Sequence, residues 1–313
     1  MLDRLALFGL APGRLRPDIP LPGSPERCAA RAAADDAQGR TWVIEQLVPG
    51  QADRRRRIAQ ALARLQADGL PLAPYRPAPS GDFAPESDGH HWQIAPYVPG
   101  DPLPRPDYVD HPERGTHLGR FLAELRRTAP AVHSFDNEPG FHLEHYADSL
   151  MAAVRTRMPE LHHALAPVIP ALLPLFEAWP DLPRSLCQGD FHPLNVIWRG
   201  STVAAVIDWE FAGLRPALFD AANCLGCVGI EDPHALVNGL APALLRTLNE
   251  HGCLDAPSFA LLPELLLGLR FAWLSEWLRR NDREMIELET RYMRLLANSL
   301  DTLLPAWKRI VGR

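Results

Sequence analysis

Cys187-Gln188-Gly189-Asp190-Phe191-His192-Pro193-Leu194-Asn195-Val196-Ile197-Trp198, followed by Val206-Ile207-Asp208-Trp209-Glu210, sets acidic side chains and one amide at fixed spacing between apolar runs. Gly189 and Pro193 break the first segment, so Asp190 and Asn195 are expected on a loop. Val196 to Trp198 and Val203 to Ile207 are short β-type runs separated by the polar turn Arg199 to Thr202, which reads as a hairpin. Such a hairpin carries Asp208 back beside Asn195. A carboxylate and an amide oxygen suit a hard ion such as Mg²⁺, which keeps several waters and takes further oxygens from phosphates. Asp190 then stands near that ion, able to accept a proton.

The chain has 313 residues, 47% of them hydrophobic, enough to bury a large core in one large or two modest domains. A net charge of -6 leaves no polybasic footprint, which argues against nucleic-acid and membrane partners. Cys224 and Cys227 form a C-x-x-C, but no second pair completes a zinc set, so reduced, buried thiols are expected, as for Cys28, Cys187 and Cys253. Met1 to Leu10 carries Asp3 and Arg4 and reads as no secretory signal. No run approaches the roughly 18 apolar residues of a membrane span, and a cytoplasmic protein is expected. Lys308 is the only lysine, so any task that needs one earlier in the chain must be done otherwise.

Taken in order, Leu2 to Leu10 reads as a short helix and Ala11 to Pro25 as irregular. Strands are expected over Arg27 to Ala33, Thr41 to Val48 and Trp92 to Val98. Ala52 to Asp68 is helical, with Ile58, Leu62 and Leu65 on one face and Gly69 closing it. Its first turn carries Arg54-Arg55-Arg56-Arg57, against the helix dipole, so the cluster either answers an anion or forms a solvated face. Beyond Pro99-Gly100 the character turns helical: Glu113 to Arg127, Glu144 to Met158, a proline-interrupted Glu160 to Trp179, then Pro233 to His251, Ser258 to Arg280 and Asp282 to Leu304.

Asp190-x-x-x-x-Asn195 with Ile207-Asp208, behind a β-rich region with one helix, resembles the protein-kinase-like fold. More closely, Gln188 to Trp198 with Val206 to Glu210 is similar to the aminoglycoside phosphotransferase, choline kinase and homoserine kinase superfamily of small-molecule kinases. The likeness runs from about residue 20 to 300. It implies an α+β fold of two lobes: a small β-rich nucleotide-binding lobe over 1–98 and a larger, mainly helical catalytic lobe over 99–313. It also implies ATP- and Mg²⁺-dependent transfer of phosphate to a hydroxyl of an amino alcohol, sugar or hydroxy amino acid. By the same resemblance Asp190 is the catalytic base, Asn195 and Asp208 hold Mg²⁺, and Gln188, His192 and Asp220 support the loop. Tyr97-Val98-Pro99-Gly100 is similar to the hinge where adenine meets backbone groups.

Three departures matter. Gln188 stands where the family usually has His, and Leu194 where Gly is common. The third is larger: the family's Val-Leu-Lys, whose amine meets the phosphates, is here Val43-Ile44-Glu45. A carboxylate repels a triphosphate by roughly 1 to 4 kcal/mol at ~4 Å. Either the ion pair is reversed, with Glu45 bound to one of Arg54 to Arg57 and that arginine, Arg27 or Arg31 on the phosphates, or triphosphate binding is weakened or lost. Pro22-Gly23-Ser24-Pro25 is only a weak match to a glycine-rich loop. The acceptor is expected between the loop and the late helices. Phe271 and Trp273 read as core there, Arg270 would suit a carboxylate, Glu276 or Glu210 an amine, and Trp277 a wall. The rivals are a non-catalytic nucleotide- or metabolite-binding protein and a Mg²⁺-dependent phosphohydrolase, against which Asp208 stands as the one strong metal carboxylate.

Overall fold

A period-two pattern builds the first sheet of the computed structural model, which describes residues 1–21, 28–138 and 140–313. Arg27 and Pro22-Gly23-Ser24-Pro25 lie outside these described residues. Strands β1 (Pro12–Leu15), β2 (Ala30–Asp36), β3 (Thr41–Gln46), β4 (Glu86–Ser87) and β5 (His90–Pro96) pair antiparallel in the order β1-β2-β3-β5-β4. Alternate residues face opposite ways in a strand. Ala34, Trp42, Ile44, Trp92 and Ile94 therefore share one core, which Leu5 and Phe8 of the 3-10 helix Leu2–Phe8 complete. The register sets Arg31 opposite Glu45 and Glu45 opposite Gln93, a polar row across three strands. Helix α1 (Ala52–Ala67) meets this row, with the Gln93 amide donating to the Arg55 carbonyl at 3.4 Å.

The chain divides into two compact units. Met1–Asp101, Thr128–Asn137 and Asn195–Ala212 form one; Pro102–Arg127, Glu138–Leu194 and Gly213–Arg313 form the other. Strand β6 (Arg184–Cys187) belongs to the second unit, whereas β7 (Val196–Arg199) and β8 (Thr202–Val206) form a hairpin in the first. The hairpin is pinned on both edges. The Val206 amide donates to Pro71 O at 3.0 Å, and the Asp101 amide to Trp198 O at 2.8 Å. Gly100 makes the second contact possible, since a Cβ there would fall 2.4 Å from Ile197 Cγ2.

In the second unit β6 pairs with β9 (Gly213–Pro216). Its helices are α2 (Pro112–Thr128), α3 (Leu143–Arg157), α4 (Pro159–Leu165), α5 (Leu173–Ala178), α6 (Phe219–Glu231), α7 (Leu240–Glu250), α8 (Ala256–Ala260), α9 (Leu262–Arg280), α10 (Arg283–Ala297) and α11 (Leu300–Val311). Helix α6 is buried from Phe219 to Gly229 and packs against α9, which packs in turn against α10. All five cysteines are free and buried.

Several expectations are corrected. Strand β1 forms where the sequence suggests an irregular segment; its side chains are all exposed, so it has no inner face to read. Strand β2 runs on to Asp36, past the expected end at Ala33. Strands β6 and β9 and helix α6 carry no usable period. Pro159–Asp181 is long and apolar enough by length and composition to cross a membrane, with a mean hydropathy of 1.3, contrary to the expectation that no run comes close. Prolines at 167, 170 and 174 split it into α4, a 3-10 stretch (Ala166–Leu172) and α5.

Gly115 on α2 lies so close to α7 that a Cβ would sit 2.1 Å from the Leu240 carbonyl oxygen, a backbone atom that cannot swing away. Alanine gains up to about 1 kcal/mol in helix propensity. Overpacking costs roughly 1–3 kcal/mol and wins here. Gly115→Ala is expected to lower the melting temperature by several degrees; an unchanged or higher value would contradict this close approach.

Candidate active site

In the first unit the hairpin delivers both expected metal ligands. Asn195 directly precedes β7, and its carbonyl accepts from the Ile207 amide at 3.0 Å, the last rung before Asp208. Asp208 adopts a left-handed backbone, φ +58° and ψ +57°, and opens the 3-10 turn Trp209–Phe211. Such a conformation costs a non-glycine residue roughly 1–2 kcal/mol, and Asp is among the types that tolerate it. The Trp209 indole donates back to Val206 O at 3.0 Å, tying the turn to β8.

Beside it lies a set of buried charges. Glu45, 6% exposed, is held at 2.6 Å by Arg31 from the neighbouring strand. Arg55, 2% exposed, stands 3.6 Å from Glu45 and 3.1 Å from Glu210. The Tyr75 hydroxyl accepts from Arg55 at 3.3 Å and reaches Glu45 at 3.5 Å. Burial works against the Arg31 charge, but Glu45, the Cys28 thiol and Asp208 outweigh it and raise the Arg31 pKa. A strand carboxylate thus meets a helix guanidinium, with the signs opposite to those of a strand lysine and helix glutamate. The Glu210 carboxylate, expected to face metal or acceptor, faces Arg55. Two further arginines of the cluster are engaged within the same unit: Arg54 binds the carbonyls of Glu210 and Ala212, and Arg56 binds Asp53, Asp82 and Ala84 O.

In the second unit the ladder of β6 and β9 ends at the Cys187–Gly213 pair, and the chain turns through Gly189 at φ +89°. Asp220, at the start of α6, accepts from the Gln188 amide at 2.7 Å and the Gly189 amide at 2.9 Å. The Gln188 side chain accepts from the Asp190 amide at 2.7 Å. Asp190 keeps its carboxylate partly exposed, at 18%. His192 accepts the Leu194 amide at Nδ1, 3.3 Å, and so carries its proton on Nε2 when neutral, 3.7 Å from Asp190 Oδ2. Asn223, one helical turn after Asp220, donates to Phe191 O and accepts from the Trp273 indole at 3.0 Å. Trp273 also meets the His192 ring edge-on at 5.3 Å.

Asn223 and Trp273 escape a reading of the sequence as site residues, although the three-residue spacing from Asp220 puts Asn223 on the same helix face. Arg55 is visible there only as one of four arginines, although its spacing to Ile58 and Leu62 sets it on the apolar face of α1. Arg270 is corrected outright: it is 1% exposed and holds Glu289 through two contacts of 2.6 Å. The Trp277 indole donates to the same carboxylate at 3.2 Å. Glu276 is paired with Arg279 and Arg280 on its own helix. Tyr97 follows β5, and its amide is already donated to Thr41 O at 2.9 Å; Val98 is the next residue.

Burial pushes the Asp220 carboxyl up to about 6, and the two amide donors only partly offset it. An unfolded Asp titrates near 3.9. Between about pH 4 and pH 6 the folded protein therefore retains a proton that the unfolded chain has lost, and stability from this group falls as pH rises. A rise of this size corresponds to about 3 kcal/mol. Denaturant titrations of wild type and Asp220→Asn should show the wild-type advantage shrinking by this order from pH 4 to pH 6.5; a constant difference would refute it.

The phosphotransferase enzyme family (APH) matches residues 30–261. Among curated relatives, the homoserine kinase of Rhodopseudomonas palustris (strain TIE-1) is 37% identical over 136 residues, 41% of this chain and 42% of that protein. The homoserine kinase of Granulibacter bethesdensis is 31% identical over 208 residues, 63% of this chain and 62% of that protein. The chain spans about two fifths of the length of the first of these, 42%. Among solved structures, a microcompartment-associated aminopropanol kinase superposes with a TM-score of 0.65 at 16% identity, covering 100% of this chain and 98% of the other. Amicoumacin kinase hAmiN, in complex with AMP-PNP, Ca²⁺ and Ami, gives 0.64 at 15% identity, covering 95% and 92%. These structural likenesses establish the protein-kinase-like fold. The family match covers most of the chain, residues 30–261, and the chain belongs to the phosphotransferase enzyme family.

Proposed function

We propose that the protein transfers the γ-phosphate of ATP, with Mg²⁺, to a hydroxyl of a small amino alcohol or hydroxy amino acid. The observation that carries this reading is Asp208, held in a left-handed backbone beside the Asn195 rung and preceded in sequence by Asp190. Among the described residues no group of three or more His, Cys, Asp or Glu could hold a metal by itself. An amide oxygen and a carboxylate oxygen fit Mg²⁺ instead, which completes its shell with water and phosphate oxygens. Bound there, the ion would neutralise charge on the β- and γ-phosphates.

Each residue then has a task. Asp190 orients the acceptor hydroxyl and takes its proton as the new O–P bond forms and the bond to the β-phosphate bridging oxygen breaks, leaving ADP. Asp220 and Gln188 fix the backbone that carries Asp190. Arg31, which also holds Glu45 at 2.6 Å, is the cation assigned to the phosphates, and a guanidinium can grip them through two hydrogen bonds while keeping a further N–H for the carboxylate. The Tyr97 amide is engaged in the sheet, so Val98 is the hinge residue assigned to adenine. The acceptor class follows the relatives named homoserine kinase and aminopropanol kinase.

Calorimetry should detect Mg-ATP binding in the wild type and its loss in Asp208→Ala. Arg31→Gln should weaken binding by about 10- to 100-fold, the worth of a hydrogen bond to a charged group. With homoserine or an aminopropanol as acceptor, Asp190→Asn should lower kcat by about 10²- to 10⁴-fold while nucleotide binding persists. No binding at millimolar nucleotide would overturn the proposal. Binding without transfer across a hydroxyl-acceptor panel would favour the non-catalytic alternative that Glu45 keeps open.

A further inference from the structure

The Asp208 backbone is strained, and strained backbone persists only where its surroundings over-determine it. On the entry side the restraints are the Asn195–Ile207 rung and the Trp209 indole on Val206 O. On the exit side the 3-10 turn closes through the Ala212 amide on Trp209 O at 3.0 Å. The last carbonyls of such a turn lack partners within it. Arg54 supplies them: its Nε and Nη2 donate to Glu210 O at 3.2 and 2.9 Å, and Nη2 also donates to Ala212 O at 2.9 Å. Its neighbour Arg55 takes the Glu210 carboxylate at 3.1 Å. Consecutive residues of the first turn of α1 thus grip the backbone and the side chain of the segment that follows Asp208. A guanidinium bridges two carbonyls that a single ammonium cannot span in the same geometry.

We propose that Arg54 is a positioning residue for Asp208, setting how tightly the site binds its divalent ion from the first turn of helix α1. Arg54 acts through the turn rather than on the ion; it fixes the left-handed conformation that aims the carboxylate. The inference rests on the reading of Asp208 as a metal ligand. It goes beyond that reading in assigning metal affinity to an arginine that bonds the carbonyls behind the ligand.

The test measures Mn²⁺ binding by electron paramagnetic resonance in the presence of a non-hydrolysable ATP analogue, and binding of the analogue alone in EDTA by calorimetry. Arg54→Leu should weaken Mn²⁺ binding by about 10- to 100-fold, the usual effect of losing a group that orients a ligand. Metal-free analogue should bind as it does to wild type. Arg54→Lys should fall between the two and carries the test if the leucine variant does not fold. Unchanged Mn²⁺ affinity, or equal losses with and without metal, overturns the role of Arg54. The underlying reading fails separately, if Asp208→Ala retains wild-type Mn²⁺ affinity.

Discussion

A buried carboxylate on a central strand needs cations to offset its lost hydration, and Glu45 has two. Arg31 comes from the next strand and Arg55 from helix α1, so the polar row of the sheet is also the surface on which that helix docks. Removing one member of a buried pair strands the other, at about 3–5 kcal/mol. The arrangement therefore constrains everything attached to it. Arg55 continues to Glu210, and Arg54 continues to the carbonyls behind Asp208. The segment that carries the proposed metal ligand is thus held by the same helix turn that neutralises Glu45.

The second unit solves a different problem. Its loop must expose one carboxylate while leaving few backbone groups unsatisfied. Asp220 takes two amides, the Gln188 side chain takes the Asp190 amide, and Asn223 takes the Phe191 carbonyl while bonding Trp273. Gln188, in place of the family's usual histidine, retains the acceptor that this turn needs. Arg270 and Glu289 are fully internal, and Trp273 and Trp277 are organised around them rather than around solvent.

What can be read from sequence follows from how local each signal is. The hairpin of β7 and β8 and helix α1 announce themselves through period and turn residues, and both form within a residue or two of expectation. The Asp190, Asn195 and Asp208 spacing is likewise local. Strands β6 and β9 are four residues each and pair across a gap that includes a hairpin, so no period reveals them. Helix α6 is buried all round, which erases the stripe that marks an amphipathic helix. Arg270 misleads because a buried arginine and a ligand-binding one look alike until the partner, Glu289 on the next helix, is located. Arg55 hides among neighbours that differ from it only in direction.

The exchange of lysine for glutamate at position 45 also changes what chemistry can see of this protein. Arginine stays protonated at every pH a protein tolerates and is a poor nucleophile. Acyl phosphates and aldehydes that mark nucleotide pockets do so through a neutral lysine amine. Here the positive charge beside Asp208 is guanidinium, and the one side-chain amine, Lys308, sits on α11. The unit that carries Asp208 contains no lysine at all, so an amine-directed nucleotide analogue would find no side-chain amine to mark within it.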